Sequence, residues 1–140
     1  MIRIVLDTTT VISALFWKGN PRKILDGVRS AQYQLLSSSD IEKELVRVLS
    51  YPKFGLTPIE ILPIINEYRA YALNVRISSS IDLITEDPTD NIFLECAKDG
   101  NANYVILYAV TNETFLRRRT LALIRFSHAE AWQSKITSLQ

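Results

Sequence analysis

The chain has 140 residues, of which 47% are hydrophobic and 22% charged, and its formal net charge is +1. This length suits one domain (1–140) with a substantial core, and the composition excludes a disordered chain. No global field draws in a polyanion, so any affinity for RNA or DNA has to come from a local basic surface.

The single cysteine, Cys96, excludes an internal disulfide and a cysteine-built zinc site. No apolar run is long enough to cross a bilayer, and Arg3 is not followed by a signal-peptide cleavage pattern. The expectation is a reducing, cytoplasmic location and no membrane.

Residues 2–6 are nearly all apolar, as in a parallel strand buried on both faces. Asp7 and three threonines follow, and both residue types cap helices. An acid at a strand tip also suits a cation site, because open parallel sheets bind ligands beyond the carboxyl ends of their strands. "NPRKILDGVRSAQ" starts a helix near Pro21, and "YQLLSSS" reads as a second strand. "SSDIEKELVRVLSYPKF" is an amphipathic helix capped by Ser38 or Ser39 and stopped at Pro52. "TPIEILPIINEYRAYAL" opens with a cap and a proline, with a bend expected at Pro63, and "NVRIS" reads as a short strand. "EDPTDNIFLECAKDG" is a turn and a helix ending at Gly100, with Ile92, Phe93 and Cys96 facing inward. "YVILYAV" and "RTLALIRF" read as strands and "SHAEAWQSKI" as a closing helix. Strands alternating with helices predict a three-layer α/β/α domain around a mostly parallel sheet of about five strands.

In that fold Asp7, Glu44 and Asp90 stand beyond strand ends or near helix starts, with Asp87 just before Asp90. Gathered carboxylates raise one another's pKa values, and a divalent cation relieves the repulsion. Oxygen ligands select Mg²⁺ or Mn²⁺ over zinc. Taken singly, each acid also reads as a cap or a solvated charge.

"IVLDTTTVISALFW", "SSDIEKELVRVLSYPKF" and "DPTDNIFLECAKDGNANYVI" together resemble the PIN-domain family over roughly residues 2–107. The likeness is to its small prokaryotic branch, the toxin components of toxin–antitoxin pairs (VapC-like ribonucleases). The resemblance implies a metal-dependent endoribonuclease with RNA as substrate and an antitoxin protein as partner. It implies that Asp7 and Asp90 hold Mg²⁺ or Mn²⁺ most directly, with Glu44 helping through water. Thr8, Thr9 and Asp87 would orient these ligands.

The chain departs from the family pattern at Thr9, where Asn is common, and at Tyr108 and Ala109, where related proteins carry "GD" and a fourth acid. Asn112 or Glu113 could replace that acid only through a rearranged loop. Asn103 stands where the family often has Asp. A metal site weakened at Ala109 is therefore expected, and the alternative is a catalytically inactive PIN-like module that binds RNA or protein. An unrelated α/β nucleotide binder is disfavoured by the lack of a Gly-rich phosphate loop.

Lys18, Arg22 and Lys23, and the run Arg117, Arg118 and Arg119, are candidate phosphate contacts, or solvated loop charges. Phe16 and Trp17 could stack bases or pack in the core. His128, the only histidine, reads as a cap or surface residue. Apolar residues along 57–73 suit a homodimer or higher homo-oligomer, an antitoxin contact, or ordinary packing.

Overall fold

A computed structural model describes residues 1–81, 90–111, 118–125 and 136–139, with side chains up to residue 106. The chain order is β1 (Ile2–Leu6), α1 (Thr8–Phe16), α2 (Asn20–Arg29), β2 (Tyr33–Ser37), α3 (Ser39–Leu49), a short 3₁₀ turn (Pro52–Phe54), α4 (Pro58–Tyr71), β3 (Ala72–Asn74), α5 (Asn91–Asp99), β4 (Tyr104–Thr111), β5 (Arg118–Arg125) and β6 (Ile136–Leu139).

The described strands form one sheet in the order β3-β2-β1-β4-β5-β6. The first four are mutually parallel, and β5 and β6 are antiparallel additions. The described residues hold six strands, against about five expected. Strand direction depends on the length and path of each connection, which apolar runs do not reveal.

Alternation along the parallel strands divides the core. Ile4, Leu6, Leu35 and Ile106 pack on one face with Val11 of α1, Val28 of α2, Leu45 and Leu49 of α3, and Ile61 and Ile65 of α4. Val5, Leu36 and Val105 turn to the other face, against Phe93, Cys96 and Ala97 of α5. Helices therefore cover both faces of the parallel part, giving the three-layer α/β/α arrangement. Leu45 and Leu49 are at most 1% exposed, and each such burial contributes about 1.5–3 kcal/mol. Burial also pushes the Cys96 thiol up to about 12, so it behaves as a small apolar residue.

Helix starts follow the predicted caps. The Ser38 hydroxyl accepts from the Ile41 N–H at 3.3 Å, and Thr57 and Glu60 close a reciprocal capping box at the start of α4. The helix α4 continues through Pro63. Its end differs from expectation: β3 occupies Ala72–Asn74 rather than 74–78. The Val75 N–H still donates to the Ser37 carbonyl at 2.7 Å, so pairing with β2 fixes the strand. The closing helix expected over "SHAEAWQSKI" is corrected at Ile136, which begins β6; its other residues, including His128, lie outside the described residues.

Candidate functional site at the β1–β4 switch point

The chain builds β1, β2 and β3 outward in one direction and then returns to place β4 on the other side of β1. The strand order therefore reverses between β1 and β4, and α1–α4 and α5 lie on opposite faces there. Such a reversal opens a crevice beyond the strand carboxyl ends, where open α/β sheets bind ligands.

Asp7 occupies that crevice's floor. Its N–H donates to the Ile106 carbonyl of β4 at 3.1 Å, closing the last rung between the two strands. Its Oδ1 accepts from the Thr10 N–H at 2.8 Å, so the carboxylate is the N-cap of α1. The capping and cation readings are thus compatible: one oxygen holds the helix start while the group sits at the switch point, 7% exposed.

The neighbouring threonines divide. Thr10 is fully buried, its hydroxyl 3.5 Å from the Ile106 carbonyl. Thr9 is exposed. Thr8 is 8% exposed, and its buried hydroxyl has no hydrogen-bond partner among the described residues. An unpaired buried hydroxyl costs roughly 1–3 kcal/mol, a cost that a ligand or water between the layers would relieve.

Asp90 reaches the same end of the sheet from the other face. At the opposite end, the Arg3 N–H donates to Asn103 Oδ1 and the Asn103 N–H to the Arg3 carbonyl, and an Arg3 guanidinium nitrogen donates to the Gly100 carbonyl at 3.0 Å. The C-terminus of α5 is therefore anchored beside the start of β1. Its nine residues rise roughly 13 Å toward the strand carboxyl ends, with half-buried Asp90 at the N-cap position. The Asp90 side chain makes no capping bond there, and the helix dipole favours its negative charge. Asn91, next in the chain, is 6% exposed; it is absent from the sequence candidates, although a polar residue opening an apolar helix face was the available signal.

Glu44 is held by an ion pair on its own helix. Arg47, one helical turn on, donates to both of its oxygens, Nε to Oε2 at 3.0 Å and Nη2 to Oε1 at 2.5 Å. The same guanidinium bonds the Tyr51 hydroxyl and lies over its ring at 5.4 Å from the centroid. A bidentate arginine neutralises a carboxylate and competes with any cation for it. The i,i+3 spacing in "EKELVR" signalled this pairing. Among the described residues, no group of three or more His, Cys, Asp or Glu side chains could hold a metal ion.

Asp7 and Asp90 thus stand at the strand carboxyl ends, on helices packed against opposite faces of the sheet, and among the described residues the Thr8 hydroxyl beside Asp7 has no partner. Mg²⁺ is commonly held by one or two carboxylates, with waters and substrate phosphates completing its shell, so Asp7 and Asp90 suit such an ion without Glu44.

The remaining candidates fall as follows. Asp87, Asn112, Glu113 and Arg117 lie outside the described residues. Arg118 and Arg119 open β5, paired with Thr111 and Val110. Tyr108 and Ala109 lie inside β4, within the strand expected over "YVILYAV", opposite Leu121 and Thr120. β4 outruns β1 and continues pairing with β5. Lys18 and Lys23 are exposed. Arg22 braces the scaffold, its guanidinium donating to the Ala14 and Leu15 carbonyls, both at 3.0 Å, at the end of α1. Among the described residues, no helix is long and apolar enough to cross a membrane.

A family model described as PIN domain matches residues 3–108. No curated protein and no solved structure matches the chain. The matched stretch contains Asp7, Glu44 and Asp90 and stops one residue before Ala109. The chain belongs to the PIN-domain family, whose members are typically metal-dependent nucleases that bind RNA.

Proposed function

We propose that this PIN-domain chain is a metal-dependent endoribonuclease, the toxin component of a toxin–antitoxin pair acting in the cytoplasm, with a metal site weaker than one built from four acids. The observation that carries the reading is the buried Asp7 carboxylate at the β1–β4 reversal. Asp7 and Asp90 are the residues that would hold Mg²⁺ or Mn²⁺. Such an ion, when bound, lowers the pKa of water and neutralises charge developing on a phosphodiester.

The chain's own residues do the rest by position. The Thr10 N–H and the Ile106 carbonyl fix the Asp7 side chain and backbone, so the carboxylate is oriented before any ligand arrives. The Thr8 hydroxyl supplies a donor and acceptor for a water or a phosphate oxygen. Glu44 joins only if Arg47 swings away, which together with Ala109 is why the site is proposed as weak.

The Arg47–Glu44 pairing also favours a second reading, a PIN-like module that binds RNA or protein without cutting. Cleavage of a fluorescent single-stranded RNA with Mg²⁺ or Mn²⁺ separates the two. Activity abolished in Asp7→Asn supports the nuclease. RNA retention with no cleavage in either protein overturns it in favour of the binding module.

A further inference from the structure

Large aromatic side chains seldom stay on a surface unless something covers them. Phe16 and Trp17, at the end of α1, are 39% and 49% exposed. Phe54, from the 3₁₀ turn after α3, lies nearly parallel to Phe16, with ring centroids 5.9 Å apart and an interplanar angle of 14°. Trp17 meets Phe16 edge-on at 6.0 Å and 66°. The Lys53 ammonium lies 5.1 Å from the Phe54 centroid.

Two features distinguish this patch from an ordinary apolar surface. The first is charge. The segments that build it, residues 16–23 and 51–55, contain Lys18, Arg22, Lys23 and Lys53 and no acid, a balance suited to a polyanion. The exposed carbonyls of a helix C-terminus would ordinarily repel one, but the Arg22 guanidinium covers those of Ala14 and Leu15. The second is rigidity. The Trp17 N–H donates to the Ser13 carbonyl at 3.0 Å, and Gly19 turns the chain at φ +148°, a conformation L side chains rarely adopt. The backbone that carries Trp17 is therefore fixed before anything binds, which lowers the entropic cost of binding.

We infer that Phe16, Trp17 and Phe54, with Lys53, form a platform on which bases of a single-stranded RNA stack while the lysines meet its phosphates. This inference rests on the proposed ribonuclease reading and assigns these residues to holding unpaired nucleotides, because stacking needs exposed base faces. The platform stands at the far end of α1 from Asp7, roughly 13 Å along the helix. It thus engages nucleotides flanking the cleaved bond.

The test uses Trp17 as its own reporter. The chain has two tryptophans, so Trp132→Phe leaves Trp17 as the sole indole. Oligouridylate of about 12 nucleotides, added in EDTA to suppress cleavage, should quench that fluorescence. Trp17→Ala should weaken binding on the order of tenfold, Trp17→Phe should retain most of it, and Lys53→Ala should flatten the salt dependence by about 0.7 in log–log slope. Thermal melting checks that each variant folds. If Trp17→Ala binds and cleaves RNA as the wild type does, without quenching in the reporter protein, the platform is wrong and the nuclease reading stands. A wild type that neither binds nor cleaves RNA sinks both. If Trp17→Ala alters only the oligomeric state, the patch is a protein interface instead.

Discussion

The two ends of β1 treat polar groups in opposite ways. At its start the Arg3 N–H donates to the Asn103 side chain, the Asn103 N–H returns to the Arg3 carbonyl, both at 2.8 Å, and the Arg3 guanidinium reaches Gly100. Asp99 adds a second anchor nearby, accepting from the backbone N–H groups of Ser78 and Ser79 and from the Ser79 hydroxyl. At its finish Asp7 caps a helix, yet the adjacent Thr8 hydroxyl is buried and unpartnered. Polar residues at the first end complete each other; at the second, the Thr8 hydroxyl has no partner among the described residues. This asymmetry separates architecture from chemistry more clearly than burial does, since both ends are packed.

The sharpest way to break the contrast is to exchange phenotypes across it. Asp7→Asn should reduce RNA cleavage on the order of 10³-fold, the loss of several kcal/mol of charge stabilisation. Its melting temperature should barely move, because Asn caps about as well as Asp. Measuring kcat/KM and Tm on one preparation checks both halves, and a large fall in Tm with intact turnover would reverse the assignment.

At the other end, Gly100→Ala should cost roughly 1–3 kcal/mol of stability by overpacking. The new Cβ would lie 2.8 Å from Leu36 Cδ1 and 2.9 Å from the Cys96 carbonyl. Asn103→Ala should cost about 1 kcal/mol through the lost Arg3 contact. Urea denaturation gives both values, and cleavage per folded molecule should be unchanged in each.

Thr8→Val sharpens the comparison within the functional end. Removing an unpartnered buried hydroxyl should leave stability equal or up to about 1 kcal/mol higher, while RNA cleavage drops a few-fold to tenfold if the hydroxyl orients a ligand. A variant both less stable and fully active would place that hydroxyl in the scaffold.

The smallest effect concerns pH. The Ser79 hydroxyl, aided by the two backbone N–H groups, holds the Asp99 carboxyl below its ordinary value of 3.8. A depressed folded-state pKa contributes stability above the unfolded value, lost as pH falls through the lower folded one. Asp99→Asn should therefore slightly flatten the acid limb of a stability–pH curve below about pH 4. The group is mostly solvent-screened, so the change should be small.

Much of this layout was legible in the sequence because the relevant signals are local. Apolar runs marked β1, β2 and β4, and Ser38 and Thr57 marked helix starts by the chemistry of caps. The edge strand β3 was misplaced because it is three residues long and mostly exposed, without a burial pattern of its own. It exists through pairing with β2, a contact between distant residues. Asp7 could be singled out by its place after a buried strand. The partner of Glu44 was missed although it stands three residues away, because acids were read without the bases beside them. The orphaned Thr8 hydroxyl had no sequence signature, since any of three consecutive threonines could have held that position.

The Arg22 fork has a further consequence for local opening. It ties the end of α1 to the start of α2 across the Gly19 turn, so neither helix can fray there without releasing the same two bonds. In native-state hydrogen exchange the amides flanking this turn should therefore behave as one cooperative unit, with similar protection from solvent. Asp7 caps the other end of the same helix, so only an opening that ran the whole length of α1 would also release the carboxylate at the switch point.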